Sequence, residues 1–331
     1  MPQTRAKKTE QVSNFSKETA VNLQPGTTVA VVSYNHGDFI VECLESIRTQ
    51  SRSAARVLIA DDNSPDNTHD VIREYCSKYP DFAEFYPNEV NIGLNRTLNR
   101  MLNLANTEFF TYISADDFML PQRIEIQEEL LRKYPATALC YSDAIVVDAN
   151  SQESPDPSSV EFPWPDDEVT LTQPFSELLT KNWIPAASIF LRTDLLKGSG
   201  GYHQNIFFED HEILVKLSKL YDFCFTRDPL VAVRRLPTSL GATGIAHKSP
   251  RFIEAQNEIY SHYASAENEL SLKSYSLRWE LAKRSISTEM SRQKSLRLLW
   301  SSRKGAEKKL AFPYQLFRLT TSVFRKKSPR G

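Results

Sequence analysis

The chain has 331 residues, of which 40% are hydrophobic and 24% charged, and its formal net charge is −1. These values are typical of a soluble globular protein with one large domain or two smaller ones. A membrane-spanning helix is not expected, because no apolar run approaches about 18 residues. Residues 1–26 lack the apolar core of a signal peptide, and we interpret them as a flexible polar leader.

The four cysteines lie far apart in the sequence and show neither CxxC nor Cys/His spacing. This spacing indicates neither a zinc site nor a disulfide framework. Each cysteine lies in an apolar or helical segment, which predicts small core residues and a reducing, cytoplasmic compartment. They are Cys43, Cys76, Cys140 and Cys224.

Charge is distributed unevenly along the chain. Residues 292–331 contain twelve lysines and arginines and one acid, Glu307, for a net charge of +11. Residues 1–291 hold the remaining 28 basic and 40 acidic residues, for a net charge of −12. A tail this basic predicts a polyanionic partner, either a membrane surface or a nucleic acid.

From Thr27 onward, short β-branched runs alternate with amphipathic segments at helical spacing. This alternation predicts an α/β fold with a mainly parallel sheet and helices on both faces. The predicted strands are 28–33, 56–60, 83–87, 109–114 and 138–148, and the predicted helices between them are 39–47, 71–79, 94–105 and 122–134. Residues 149–182 are rich in Pro, Ser and acids and are interpreted as a surface excursion with little internal structure.

Three polar turns follow predicted strands: YNH at 34–36, DDNS at 61–64 and ADD at 115–117. In open α/β sheets, ligands bind outside the carboxyl ends of the strands, so these turns predict a site. There is no GxGxxG after the first strand and no GxxxxGK[ST], which disfavours a dinucleotide-binding domain and a P-loop enzyme. A divalent metal on carboxylates is then the simplest way to hold a phosphate-bearing ligand.

Two acidic pairs have both a structural and a functional interpretation. Asp116 and Asp117 could form a turn that caps the helix after Pro121, or they could bind a cation. Glu209 and Asp210 begin a predicted amphipathic helix over 206–220, where acids also stabilise the helix dipole. Neither pair alone decides between the two interpretations.

Taken together, these segments resemble the inverting nucleotide-sugar glycosyltransferases of family 2, which have the GT-A fold. The resemblance covers roughly residues 27–241, and the matching order and spacing are more specific than any one segment. The matching segments are VVSYNHGDFIVECLESIRTQ, VLIADDNSPDNT, NIGLNRTLNRMLNLA, FFTYISADDFMLPQRI, ASIFLRTDLLKGSGGY and FFEDHEILVKL. The resemblance implies a GT-A domain over 27–245, followed by a helical extension over 246–331.

Position by position, the resemblance implies that Ser33 and Tyr34 lie near the nucleoside and that Asp62 accepts a hydrogen bond from the base. An aspartate acceptor suits the imide N–H of uracil or the N1–H of guanine, which favours UDP or GDP sugars. Asp116 would lie near the ribose or the sugar. Asp117 would bind the metal, Mn²⁺ or Mg²⁺.

The resemblance also implies that Asp210 is the catalytic base, with Glu209 beside it at the substrate. Asp210 would take the proton of the acceptor hydroxyl while its oxygen displaces the diphosphate and inverts the anomeric carbon. One departure is Leu236, which stands where many relatives carry a histidine that helps to hold the metal or the diphosphate. In its absence, Arg234 or Arg235 is the expected source of positive charge for the phosphates. A second departure is Ser114, where many relatives carry a further aspartate.

The basic tail interleaves apolar side chains with its charges, which is typical of binding at an anionic membrane surface. A solvated tail packed on its own domain remains the alternative. The apolar residues are Leu296, Leu298, Leu299, Trp300, Phe312, Tyr314, Leu316, Phe317, Val323 and Phe324.

The predicted function is transfer of a sugar from a nucleotide-diphosphate sugar, UDP-linked in preference, to a saccharide acceptor on a polyprenyl-diphosphate lipid, in surface polysaccharide biosynthesis. The expected location is the cytoplasm, peripheral to the membrane. A non-catalytic nucleotide-sugar-binding partner is the alternative in another class. A nucleotidylyltransferase would need a basic, glycine-rich loop after the first strand, and SYNHGDF is not one. Nucleic-acid binding is not expected, because no recognised motif surrounds the basic residues.

Overall fold

The computed structural model describes residues 23–206, 208–237, 249–261, 269–286, 288, 290–305, 313–315 and 318. The chain divides into two compact units. The first comprises Met1–Asn205 and Glu209–Arg235, and the second comprises Ile206–Phe208 and Leu236–Gly331. Most of the predicted leader and the predicted boundary at 245/246 lie outside the described residues.

The first unit is built on one sheet with the strand order β3-β2-β1-β4-β7-β6-β8-β5. Neighbours are parallel from β3 to β4 and again between β6 and β8, whereas β7 and β5 run antiparallel to their neighbours. The predicted mainly parallel α/β sheet is therefore confirmed. The strands are β1 (Gln24–Ser33), β2 (Arg56–Asp61), β3 (Glu84–Phe85), β4 (Thr107–Ser114), β5 (Phe118–Met119), β6 (Thr137–Val147), β7 (Phe190–Arg192) and β8 (Asp222–Arg234).

Helices connect these strands at nearly the predicted positions. Apolar side chains at helical spacing, such as Ile40, Cys43, Leu44 and Ile47 of the first helix, are buried against the sheet. The helices of this unit are α1 (Ile40–Arg48), α2 (Thr68–Lys78), α3 (Leu94–Leu104), α4 (Arg123–Lys133), α5 (Ser158–Glu161), α6 (Glu168–Thr172), α7 (Phe175–Leu178), α8 (Thr193–Gly198) and α9 (Glu209–Ser218).

Two expectations need correction. Strand β1 begins at Gln24, inside the predicted leader, because Gln24 pairs with Thr107 across a register shift. Residues 149–182 do not lack structure, since they form α5, α6 and α7. Trp164 in this segment is buried and packs against Tyr141, with ring centroids 5.2 Å apart. The apolar residues among the prolines and acids therefore form core contacts.

The second unit contains three further helices: α10 (Pro250–Ser261), α11 (Glu269–Ser285) and α12 (Arg292–Ser302). Its buried side chains include Ile253, Ile259, Trp279, Leu298 and Leu299. The helical character predicted for the extension is thus present within the described ranges. No helix in the described part of the chain combines the length and the apolar character needed to cross a membrane.

Candidate active site

The parallel register brings the three polar turns to one edge of the sheet. Ser33 at the end of β1 is paired with Asp61 at the end of β2, and Val32 is paired with Ser114 at the end of β4. Side chains that follow these strands therefore emerge side by side. This is the crevice in which open α/β sheets bind ligands.

Asp61 is a structural residue of this edge. Its side chain is buried and accepts hydrogen bonds from Ser33 Oγ at 2.9 Å, from the backbone N–H of Ser64 at 2.9 Å and from Ser64 Oγ. Ser33 is itself 3% exposed. The Ser33 hydroxyl therefore helps to fix the DDNS turn. The neighbouring Tyr34 is 44% exposed and lies at the surface of the crevice.

Asp62 organises the loop that precedes α3. Its carboxylate accepts from Asn88 Nδ2 and from the backbone N–H groups of Ile92 and Gly93, each at 2.8 Å. Two of these bonds go to Oδ1 and one to Oδ2, so Oδ2 keeps capacity for one more donor. The geometry leaves an acceptor position of the kind that a base N–H requires.

Asp116 and Asp117 form a turn in which the backbone N–H of Asp117 donates to the Ser114 carbonyl at 3.0 Å. Ser114 Oγ donates to Asp116 Oδ1. Burial, and after it the charge of Asp116, raise the pKa of the Asp117 carboxyl well above its ordinary value. The two carboxylates therefore lie close together in a poorly solvated place, where a cation would stabilise their charged forms.

Arg234 lies against this pair but is used in structural contacts. Its backbone N–H donates to Asp117 Oδ1 at 2.8 Å and its Nε donates to the Asp116 carbonyl at 2.8 Å. The rest of the guanidinium is bonded to Glu42, to Ser151 Oγ and to the Asp148 carbonyl, and the residue is 3% exposed. We therefore assign Arg234 to positioning the acidic turn rather than to direct contact with phosphates.

Arg235, by contrast, projects to the surface. Its side chain is 44% exposed and pairs with Glu161 of α5. The guanidinium also lies over the ring of Phe162 at 5.9 Å. Leu236, at the family's histidine position, follows directly, and residues 238–248 lie outside the described residues.

His36 is a site residue that the sequence analysis missed. Its Nε2 lies 3.9 Å from Asp116 Oδ2, and its Nδ1 is buried without a hydrogen-bond partner among the described residues. The backbone N–H of His36 donates to Thr68 Oγ1 at 2.9 Å, which fixes the turn. The signal was the YNH turn itself, but only the fold shows that this imidazole faces the acidic pair.

Glu209 and Asp210 occupy the first turn of α9. Tyr112 of β4 is buried and donates its hydroxyl proton to Glu209 Oε1 at 2.8 Å, which links α9 to the strand that ends in the acidic turn. Burial and the neighbouring Asp210 carboxylate raise the pKa of Glu209 to about 8. Burial also raises the pKa of Asp210 above its ordinary value.

The Asp210 carboxylate has a weak polar contact with a distant side chain, and the neighbouring His211 has a short one with the backbone. Asn182 Nδ2 donates to Asp210 Oδ2 at 3.3 Å, a long and weak hydrogen bond. His211 Nε2 lies 2.5 Å from the Leu178 carbonyl, and burial lowers the pKa of this imidazole. Asp210 therefore keeps most of its acceptor capacity for a ligand. This is the arrangement that a general base requires.

The donor set fits a divalent cation only if a ligand completes the coordination. No group of three or more His, Cys, Asp or Glu side chains in the described part of the chain is arranged to hold a metal by itself. Mg²⁺ commonly binds through one or two carboxylates together with substrate phosphates. The paired carboxylates of Asp116 and Asp117 favour such a cation here, together with the neighbouring His36, whose buried Nδ1 has no hydrogen-bond partner among the described residues.

Comparison with known proteins gives this geometry a context. Residues 28–186 match the family described as glycosyl transferase family 2. One relative is the uncharacterized glycosyltransferase YibD of Escherichia coli, which is 30% identical over 98 residues, or 30% of this chain and 28% of YibD. The chain matches about a third of the length of the first curated relatives.

Solved structures with the same fold cover most of the chain. Residues 1–349 of Staphylococcus aureus TarS in complex with UDP-GlcNAc superpose with a TM-score of 0.62 at 16% identity, over 92% of this chain and 93% of that one. The mannosyltransferase PcManGT of Pyrobaculum calidifontis, in complex with GDP-Man and Mn²⁺, gives 0.57 at 16% identity, over 92% and 82%. The predicted GT-A type fold with a helical C-terminal region is therefore confirmed.

Proposed function

We propose that this chain, whose residues 28–186 match glycosyl transferase family 2, transfers a sugar from a nucleoside-diphosphate sugar to a saccharide hydroxyl with inversion. The observation that carries the proposal is the pairing of an acidic turn at the end of β4 with the acidic first turn of α9, which Tyr112 and Glu209 connect. The acidic turn after β4 is suited to binding a diphosphate, and the first turn of α9 is suited to accepting a proton.

The nucleoside end is assigned to Tyr34 and Asp62. Asp62 Oδ2 accepts one protein N–H, which leaves it able to accept another from uracil or guanine. The exposed ring of Tyr34 offers a face on which a base can stack. The complexes of TarS with UDP-GlcNAc and of PcManGT with GDP-Man support both bases as candidates. Of the two nucleotides we favour UDP, in agreement with the sequence analysis.

The diphosphate end is assigned to Asp116, Asp117 and His36. A divalent cation bound here would supply positive charge to the leaving diphosphate, and the Mn²⁺ in the PcManGT complex supports this choice. Arg234 holds Asp117 Oδ1 and the Asp116 carbonyl in place. His36 Nε2 faces the same carboxylate pair and can donate a hydrogen bond to a phosphate oxygen.

The transfer itself is assigned to Asp210. Its carboxylate takes the proton of the acceptor hydroxyl, the acceptor oxygen forms a bond to the anomeric carbon, and the bond from that carbon to the diphosphate breaks. Because the pKa of Glu209 is raised to about 8, Glu209 keeps its proton near neutral pH. The Glu209–Asp210 pair then carries one negative charge. We assign that charge to Asp210, because burial and the nearby Asp210 carboxylate favour the protonated form of Glu209.

The experiment that tests this proposal is a screen of UDP and GDP sugars for thermal stabilisation, with and without Mn²⁺. A donor at 100 times its dissociation constant should stabilise the folded protein by about 2.7 kcal/mol. We expect a UDP sugar to stabilise the protein most, and only with Mn²⁺. No stabilisation by any nucleotide sugar would contradict the donor assignment.

The acceptor is proposed to be lipid-linked, and the outer face of α12 supports this. Ser295, Leu298, Leu299 and Ser302 of this helix are buried within the second unit. The opposite face leaves Leu296 42% exposed and Trp300 58% exposed. The apolar side chains of the tail are thus divided between a packed face and a solvent-facing one.

Basic side chains flank the solvent-facing side of α12. Arg292, Arg297, Arg303 and Lys304 are exposed there, and the helix contains no acid. Lys294 is compensated by Glu254 at 2.6 Å. Near an anionic leaflet each cation contributes about 1 kcal/mol, and an inserted tryptophan adds to this. Phe312, Leu316, Phe317, Val323 and Phe324 lie outside the described residues.

The membrane proposal is tested with point variants, because truncation at Gln293 would remove the buried Leu298 and Leu299. Trp300→Ser combined with Leu296→Ser should reduce co-sedimentation with vesicles that contain anionic lipid, while Val169→Ser, an equally exposed apolar site on α6, should not. No sedimentation of the wild type at low salt, or equal sedimentation of all variants, would contradict membrane docking.

A further inference from the structure

The outer face of α3 carries a cleft that is not part of the proposed donor site. Its volume is about 590 Å³, and its lining includes Tyr86, Arg96, Asn99, Arg100, Asn103 and Gln204. Arg96, Asn99, Arg100 and Asn103 are spaced at three and four residues, so they lie on one side of the helix. A polar, concave face of this kind is a candidate binding site.

The chemistry of the lining favours an anionic, hydroxylated ligand. Two guanidinium groups and three amide side chains line the cleft, and among the described residues no carboxylate does. The Asn99 amide is bonded to the backbone of Tyr202 through both Nδ2 and Oδ1, so Asn103 and Gln204 are the amides offered to a ligand. Guanidinium groups bind carboxylates and phosphates through paired hydrogen bonds. Amide side chains both donate and accept, as recognition of sugar hydroxyls requires. The ring of Tyr86 adds an apolar surface on which a sugar ring can pack.

Arg100 is held in position before any ligand arrives. Its Nη1 donates to the carbonyls of Tyr86 at 3.2 Å and Pro87 at 3.1 Å and to Asn88 Oδ1 at 2.5 Å. These bonds leave the N–H groups of Nε and Nη2 for a ligand. Arg96, one turn earlier, is exposed and forms no ion pair with any described residue.

Glu84, which is bonded to the lining residue Tyr86, does not neutralise the charges of Arg96 and Arg100. Glu84 accepts the hydroxyl proton of Tyr86 at 2.6 Å, and it is paired with Arg56 at 2.6 Å. The positive charge of Arg56 offsets the negative charge of Glu84. The cleft therefore keeps the charge of Arg96 and Arg100 for an anionic partner.

The cleft is connected to the proposed donor site by Asn88. This side chain accepts from Arg100 through Oδ1 and donates from Nδ2 to Asp62 Oδ1 at 2.8 Å. A ligand that shifts the Arg100 side chain would therefore also shift Asn88, which donates a hydrogen bond to Asp62. Two sites joined in this way influence each other's affinity reciprocally.

From these observations we propose that the α3 cleft is a second binding site, which takes an anionic glycan bearing carboxylate or phosphate groups and is coupled to nucleotide binding through Asn88. The saccharide class rests on the proposed function, whereas the anionic class rests on the cleft alone.

The test measures binding by calorimetry on the full chain, with no donor present. The probes are tetragalacturonate for carboxylates, glucose 6-phosphate for phosphates, maltotetraose as the neutral sugar and inorganic phosphate as the bare anion. We expect tetragalacturonate, glucose 6-phosphate or both to bind at least about tenfold more tightly than maltotetraose and inorganic phosphate. Which of the two binds distinguishes the two sources of charge.

Arg96→Glu should weaken the bound probe at least about tenfold, because it removes a charge-assisted contact and adds repulsion. Arg73→Glu, which makes the same charge change at an exposed site on α2, is the matched control and should leave binding within about twofold. Gln204→Ala, a neutral change at an exposed lining residue, should weaken the sugar probe without altering net charge.

Three results would overturn the proposal: equal binding of the neutral and anionic sugars, equal binding of inorganic phosphate, or an equal loss in Arg73→Glu. Tighter binding of a single-stranded RNA oligonucleotide than of either sugar probe would also reject a glycan. An unchanged UDP affinity at saturating probe would refute the link through Asn88. These results are independent of turnover, so failure of the proposed transferase activity would be seen separately.

Discussion

Replacing Glu209 by glutamine should stabilise the protein, and the gain should grow with pH. Burial and Asp210 raise the pKa of Glu209 to about 8 from an ordinary value of 4.5. Between these values the folded state binds a proton that the unfolded state has lost, so the stability of the wild type falls as pH rises. Glutamine cannot ionise, and its Oε1 can still accept the hydroxyl proton of Tyr112.

One proton of difference corresponds to up to about 1.4 kcal/mol per pH unit. With a urea m-value of about 2–3 kcal/mol/M, the midpoint of Glu209→Gln should move away from that of the wild type by about 0.5 M per pH unit. The divergence should begin above about pH 4.5 and end near pH 8.

The assay is urea unfolding of both proteins at pH 5, 6.5 and 8. Glu168→Gln is the matched control, because Glu168 is also an acid in a first helical turn but is exposed to solvent. It should show no pH-dependent difference from the wild type. Parallel midpoints for Glu209→Gln and the wild type across this range would refute the claim that burial holds a proton on Glu209.

Three further substitutions test the donor site. Asp117→Asn keeps an acceptor for the Arg234 backbone N–H but loses the negative charge, so calorimetry should show at least about tenfold weaker UDP-sugar binding in Mn²⁺. Excess EDTA should weaken UDP-sugar binding by the wild type in the same way. Equal affinity with and without metal would make donor binding metal-independent. Arg234→Ala should cost about 2–4 kcal/mol and lower the melting temperature by roughly 4–12 °C, because the carbonyls of Asp116 and Asp148 lose their donor. A loss below about 1 kcal/mol would contradict its positioning role. Asp62→Ala should both lose about 2–4 kcal/mol of stability and weaken UDP binding, because three N–H groups lose their acceptor. Weaker UDP binding without a loss of stability would contradict the role of Asp62 in holding the loop.

Local sequence patterns predicted much of the sheet, because the central parallel strands are continuous β-branched or apolar runs. Strands β1, β2, β4 and β6 lie within a few residues of their predicted bounds. Strand β7 carries no such signal, since it has three residues and pairs antiparallel between β4 and β6. Its place is set by tertiary pairing alone.

The candidate site divides in the same way. The carboxylates of the three turns and of α9 could be found from the sequence, because they follow strands or begin a helix. Their partners could not, since they are distant in the chain: Arg234 bonds to Asp117 from 117 residues away, and Tyr112 bonds to Glu209 from 97 residues away. These contacts changed the role of Arg234 from phosphate binding to positioning.

The most direct test of the central claim is turnover of the UDP sugar selected by the stabilisation screen, measured for the wild type and for Asp210→Asn as release of nucleoside diphosphate, together with the configuration of the product. Asparagine nearly matches aspartate in shape but cannot accept the acceptor proton. We predict donor binding within about threefold of the wild type, an inverted product, and a rate about 10²–10⁴ lower in the variant. Wild-type turnover by Asp210→Asn, or a product that retains the donor's anomeric configuration, would contradict the account.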